Sequence, residues 1–204
     1  MIQASHRWFY TWFFNFYSKF KIKRHFHQVF IHSECMAGDK AILLIANHFS
    51  WWDGFFAVYL NQKFFKRKFY VMMLDQQLSK NRFLAKAGAF SIKKKSRDIL
   101  ESLQYARNIL EDNNNLLLIF PQGKIESMHK PELKFENGIE KIIHGKENQI
   151  QIIMAAVLPE YYSNPKPSLY IYLAEFDTSQ GFTCNQIEEA YNRHFYWAKM
   201  QQKE

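Results

Sequence analysis

The segment Asn47-His48-Phe49-Ser50-Trp51-Trp52-Asp53-Gly54 places a histidine and a carboxylate five residues apart, directly after the apolar run Lys40–Ala46. Across a tight turn entering a helix, the Asp53 carboxylate can accept a hydrogen bond from one imidazole nitrogen of His48. That bond fixes the tautomer and stabilises the imidazolium. The other nitrogen is then free to take a proton from a hydroxyl group. No GxSxG elbow surrounds Ser50, so an ordinary serine hydrolase is disfavoured. A dyad without its own nucleophile suits a reaction whose nucleophile is the substrate's alcohol, such as acyl transfer from a thioester. Spacing alone is also met by structural histidines, and the chain has eight histidines. The strand-end position, with Asn47, Ser50 and Gly54 alongside, favours chemistry.

A second polar segment, Pro121–Ser127, also follows an apolar run, Leu116–Phe120. Pro121 and Gly123 allow backbone N–H groups to approach a ligand, as in an oxyanion site. An ordinary strand-to-loop turn accounts for the same residues. Lys93, Lys94, Lys95 and Arg97 form a basic run suited to a phosphate or an acidic acyl carrier, or simply to a solvated face.

The elements that position these segments follow from periodicity. Short apolar runs at Lys40–Ala46, Phe69–Leu74, Leu116–Phe120, Ile150–Val157 and Ser168–Phe176 predict strands. A weakly alternating stretch at His25–His32 predicts a first strand. Helices are expected at Trp51–Leu60, Gln76–Ala87, Gly138–His144 and Gln186–Lys199. Another contains Ile99, Leu103, Ala106 and Leu110 at helical spacing, with Ser96 as its N-cap. Strands alternating with helices imply an α/β sandwich with a mostly parallel sheet. Functional groups in such sheets gather beyond the carboxyl ends of the strands.

In that setting the ordered segments resemble the blocks of the glycerophospholipid acyltransferases, the lysophosphatidate acyltransferase superfamily. NHxSxxD at Asn47–Asp53 is similar to the first block. Gly88-Ala89-Phe90-Ser91-Ile92-Lys93-Lys94 is similar to the second, Phe120-Pro121-Gln122-Gly123 to the third, and Lys134-Phe135-Glu136-Asn137-Gly138 to the stretch that follows. The resemblance implies a single-domain acyltransferase sandwich, a mixed and mostly parallel sheet flanked by helices. It makes His48 the general base and Asp53 its orienting partner. It assigns substrate contacts to Asn47, Ser50, Lys93, Lys94, Pro121, Gln122, Gly123 and Lys124. It implies no cofactor and no metal, with acyl-CoA or acyl carrier protein as donor substrate and a lysophospholipid-like or other lipid hydroxyl as acceptor.

There are departures from the pattern. Lysine replaces the second-block arginine and loses the bidentate fork that grips phosphate. Gln122 stands where glutamate is usual, and Lys124-Ile125-Glu126 replaces a Thr-Arg-Ser continuation. Ala155-Ala156-Val157 only faintly echoes the fourth block. A catalytically silent lipid-binding protein of the same fold is the alternative these departures raise, and thioester hydrolysis is a narrower one.

The chain has 204 residues, 48% hydrophobic, 18% aromatic, with a formal net charge of +8. Such a charge points to an acidic partner. Residues 1–33 hold five basic residues and no acidic one, and nine aromatics lie between Trp8 and Phe20. No small-residue cleavage site follows an aliphatic core, so this is not a signal peptide. Asn15, Ser18 and Lys19 interrupt it well short of a spanning helix. Residues 1–24 therefore read as an aromatic amphipathic segment lying at a membrane interface, and residues 25–204 as the acyltransferase domain. A helix packing its aromatic face on the protein's own core is the other reading. Cys35 and Cys184 cannot form a disulfide framework, which suits the cytoplasm; the expected location is peripheral, on the inner face of the membrane. His25 and His27 lack a third ligand for a metal. The interleaved Lys and Phe residues at 63–70 are too short a tract to argue for a nucleic-acid platform.

Overall fold

The runs Ala41–Ala46 (β2) and Asn115–Ile119 (β5) are buried along their whole length. Strands with both faces covered belong in the middle of a sheet between two helical layers. A computed structural model describes residues 1–35, 38–93, 98–178 and 182–203, and it has this architecture. The other strands are β1 (Val29–Ser33), β3 (Lys68–Leu74), β4 (Ala89–Ile92), β6 (Ile150–Glu160) and β7 (Ser168–Phe176), in the order β1-β7-β6-β2-β5-β3-β4. Every neighbouring pair is parallel except β6 and β7.

Because side chains alternate along a strand, the central strands divide their residues between two cores. Leu43, Ile45, Leu117, Ile119, Ile152 and Met154 join a cluster with α4 (Ile99–Ile109), α5 (Ile139–Ile143) and α6 (Cys184–Gln201). Ile42, Leu44, Leu116, Leu118 and Ile153 face α1 (Trp8–His25) and α2 (Asp53–Leu60). The parallel register Ile45↔Ile119 brings the carboxyl ends of β2 and β5 together. The first and third blocks emerge there side by side.

Several elements differ locally from expectation. Helix α1 continues through His25, because Lys23, Arg24 and His25 complement the negative end of its dipole, and β1 begins only at Val29. The helix expected over Gln76–Ala87 divides into α3 (Asp75–Lys80) and a 3-10 segment (Arg82–Ala87). Strand β4, inside the second block, has no counterpart in the periodicity, being only four residues long. Ser96, the expected N-cap of α4, and Lys94, Lys95 and Arg97 lie outside the described residues.

Residues 1–7 lace along the β4 side of the molecule. Ile2 O accepts from Ser91 N at 2.9 Å, and Ser5 N and Arg7 N donate to Ala85 O and Lys86 O. His6 sits over Gly88, whose φ is 107°; a Cβ there would meet Phe69 O at 2.1 Å. The second-block glycine is thus required by the backbone. Helix α1 turns Ser18 and Ile22 inward. Its outer face carries Trp8 (81% exposed), Trp12, Phe16 and Phe20, with Trp12–Phe16 and Phe16–Phe20 stacked. Most rings of α1 therefore point away from the core, while Phe14 stacks on Phe83 and Tyr17 packs on Phe55. Among the described residues no helix is long and apolar enough to cross a membrane.

Candidate active site

The turn between β2 and α2 is organised by one carboxylate. Asp53 Oδ2 accepts from His48 Nδ1 at 2.7 Å, from Phe49 N at 2.7 Å and from Ser50 N at 2.9 Å, while Oδ1 accepts the Ser50 hydroxyl at 2.9 Å. A group taking four donors acts as an acceptor throughout, so His48 Nδ1 carries the proton and Nε2 the lone pair. The Asp53 side chain is 3% exposed and that of His48 is 21% exposed. The Phe120 ring lies against the imidazole at 4.3 Å with only 15° between planes, which fixes the ring's tilt. Among the described residues none hydrogen-bonds Nε2, the atom that can receive a proton.

Asn47 is buried, and its side chain is used within the fold. Its Nδ2 donates to Val157 O at 2.9 Å and its Oδ1 accepts from Val157 N at 2.8 Å, so the amide extends the β2–β6 ladder by one step beyond Ala46. Ser50 likewise spends its hydroxyl on Asp53 and accepts from Trp52 N. Both side chains hold the turn that carries His48.

The third block packs directly against the first. Gln122 is buried, and its Oε1 accepts from His48 N at 2.7 Å. Pro121 is buried with a trans peptide bond, and its carbonyl accepts from Glu136 N at 2.8 Å, tying in the Lys134–Gly138 stretch that follows the third block. Gly123 adopts φ 62° and donates its N–H to Phe120 O at 3.0 Å. That N–H closes the turn instead of facing a ligand. The exposed Lys124 lies 3.2 Å from Glu126 Oε1. Glu126, absent from the expected site, donates its main-chain N–H to His48 O at 2.9 Å. Its carboxyl is held at about 2, first by the Lys130 hydrogen bond and further by Gln122 and Lys124. The only sequence signal for this cluster was the alternation of charge at Lys124, Glu126 and Lys130.

Lys93 directly follows β4 on the same edge of the sheet, but three strands from β2, ~14 Å laterally at ~4.8 Å per strand. It is paired with Asp98 at 3.2 Å, and that hydrogen bond raises its pKa. The described part of the second block, Gly88–Lys93, therefore flanks the His48 turn from three strands away.

Beneath the dyad is a void of about 10 Å³ lined by Asn47, Asp53, Phe56 and Phe120, room for one water at most. A larger cleft of about 580 Å³ lies at the amino ends of β5 and β6, between Arg107, Glu140, His144 and Cys184, remote from His48. Among the described residues no cluster of three or more His, Cys, Asp or Glu is placed to hold a metal ion.

A comparison with curated protein sequences finds no match. The model of the Acyltransferase family matches residues 9–157, from α1 through the strand that pairs with Asn47. That span includes the dyad, the second and third blocks and most of the sheet, and on it the chain belongs to the Acyltransferase family.

Proposed function

We propose that this acyltransferase moves a fatty acyl group from acyl-CoA or acyl carrier protein to a hydroxyl of a lysophospholipid-like or other lipid acceptor. The observation that carries this reading is the 2.7 Å contact between His48 Nδ1 and Asp53 Oδ2, on a histidine whose side chain is 21% exposed and whose Nε2 has no hydrogen-bond partner among the described residues. Nε2 removes the acceptor's hydroxyl proton as its oxygen attacks the thioester carbonyl. The C–S bond breaks as the tetrahedral intermediate collapses, and the imidazolium returns the proton to the leaving thiolate. The products are an ester and a free thiol. Asp53 stabilises the imidazolium during this cycle and keeps Nδ1 protonated.

The reaction is proposed to take place at the inner face of a membrane, with the protein bound peripherally. In support, the exposed rings of α1 are followed by Lys19, Lys23 and Arg24, a pattern suited to an anionic headgroup layer. A chain of ring contacts, Phe13–Tyr17, Tyr17–Phe55 and Phe55–Trp51, connects this surface to the catalytic turn, where Trp51 is 64% exposed. A lipid bilayer covering both would receive the acceptor beside His48.

Thiol release from long-chain acyl-CoA and acyl carrier protein, measured with a panel of lysolipids and mass spectrometry of the products, tests the proposal. Acceptor-dependent ester formation that disappears in His48→Ala is expected. Binding to liposomes with no turnover on any pair would overturn it in favour of a silent lipid-binding protein.

A further inference from the structure

His48 is held through its main chain as well as its ring. Its N–H donates to Gln122 Oε1 at 2.7 Å, and its carbonyl accepts from Glu126 N at 2.9 Å. The two clamps come from one turn and are joined to each other, since Gln122 Nε2 donates to Glu126 Oε2 at 3.3 Å. The other oxygen of Glu126 takes Lys130 at 2.6 Å and Lys124 at 3.2 Å. Its side chain is only 6% exposed.

A glutamine amide has nearly the same shape in either orientation, but only one suits His48. Presented with its oxygen, Gln122 accepts the His48 N–H; presented with its NH₂, it would set donor against donor. The choice is made at the far side of the amide, where an acceptor is needed. We propose that Glu126 is a positioning residue for His48, fixing the Gln122 amide so that its oxygen faces the His48 main chain. This rests on the acyl-transfer reading for its consequence in rate, though not for its geometry. The two lysines keep the Glu126 carboxylate ionised and in place. An acceptor at position 126 is then always present to bond the NH₂ group of Gln122. The negative charge absent from position 122 is thus supplied four residues later.

The test is an exchange of the two side chains. Glu126→Ala removes the acceptor, and Gln122→Glu sets two carboxylates at the 3.3 Å contact, where like charges repel. Each single substitution should lower kcat roughly tenfold, the effect of about one hydrogen bond, with the donor KM within about twofold. In Gln122→Glu/Glu126→Gln the acceptor again faces His48 N and a donor faces it from position 126. That protein should regain activity to within about threefold of wild type, a coupling that independent sites do not show. The same four proteins, labelled with ¹⁵N-histidine and free of substrate, report the His48 Nδ1 proton by NMR. Its resonance should move in both single variants and return in the double. An exchanged protein as slow as Gln122→Glu alone, or a His48 resonance unmoved in Glu126→Ala, overturns the proposal. The NMR series reads the His48 geometry even if wild type turns over no thioester, so failure of the positioning role is separable from failure of the acyl-transfer reading.

Discussion

The phenol of Tyr191 donates to Ala155 O at 2.8 Å and stands 3.3 Å from Asn47 Oδ1, joining the last helix to the residue before the candidate base. Asn47 is at that point already paired with both main-chain groups of Val157. Tyr191 lies outside the span matched by the family, yet it completes the support of the His48 turn from below. Burial raises its pKa far above the ordinary value, so it is a neutral donor. Tyr191→Phe removes the donor and leaves Ala155 O without this bond. A loss of about 1–2 kcal/mol in chemical denaturation is expected, with activity reduced less than tenfold. An unchanged denaturation midpoint would show that the phenol is not part of the support.

His48 and Asp53 should separate into two kinds of loss. His48→Ala removes the proton acceptor, its bond to Asp53 and a ring stacked on Phe120, but keeps the Phe49 and Ser50 main-chain bonds to Asp53 that close the turn. It should cost about 10²–10⁴ in kcat with little change in thermal midpoint. Asp53→Asn can keep its carbonyl oxygen for Phe49 N, Ser50 N and His48 Nδ1, but it loses the charge and sets an NH₂ group against the Ser50 hydroxyl, which now donates to Asp53. It should lose activity on a similar scale and about 1–3 kcal/mol of stability besides. Paired melting curves and single-turnover rates distinguish the two; equal stability loss in both would contradict the assignment.

Membrane binding is best tested on the outward rings alone, since residues 1–7 are bonded to Ala85, Lys86 and Ser91 and their removal would disturb the fold. Trp8, Trp12 and Phe16 replaced together by serine should leave the thermal midpoint nearly unchanged, because these side chains are exposed. Sedimentation with anionic liposomes should fall severalfold. Binding of the wild type should weaken with salt, which screens exposed charges within ~10 Å at 0.1 M. Full co-sedimentation of the triple variant would remove α1 as the anchor.

Gly88 offers a sharper test of the second block. Alanine there must adopt a φ of 107° and place its Cβ 2.1 Å from Phe69 O, a backbone atom that cannot swing aside. The main chain must shift near β3 and His6, and a loss of about 3 kcal/mol or more is expected from strain and broken pairing. A Gly88→Ala protein melting within a few degrees of wild type would show that this packing is dispensable.

The central strands were legible because β2 and β5 are covered on both faces and so are continuously apolar. The dyad geometry was legible because its partners are five residues apart, within one turn. Other relationships are long-range and leave no local trace. Gln122 reaches His48 across 74 residues, and Tyr191 reaches Asn47 across 144. β4 is not legible because four residues are too few to set a period, and its contact with Ile2 spans 89 residues. The order of the blocks indicated that they share an edge of the sheet, but not that β3 and β5 stand between Lys93 and the His48 turn. For α1 the composition pointed to a membrane without fixing which side the rings take; Ser18 and Ile22, at i and i+4, mark the inward stripe.

Two histidines away from the His48 turn, the half-buried His6 and the buried His194, set the acid side of the stability profile. His6 contacts Phe69 O at 2.9 Å and His194 contacts Tyr172 O at 3.0 Å, each through Nε2. Desolvation lowers both pKa values below the ordinary 6.5, outweighing the carbonyl contacts. Lys68 further lowers that of His6, while Glu34 opposes the shift at His194. Below pH 6.5 the unfolded chain therefore takes up protons that the folded chain refuses, and stability falls as pH decreases through that window. Glu126 acts in a lower one. Its folded value of about 2 against an ordinary 4.5 gives stability that is present above pH 4.5 and lost only as pH falls toward 2. Denaturation measured from pH 8 to 5 should show the histidine-dependent decline. In His194→Gln that decline should be shallower, so that the stability gap to wild type narrows as pH drops. A gap constant from pH 8 to 5 would mean that His194 binds its proton equally in both states.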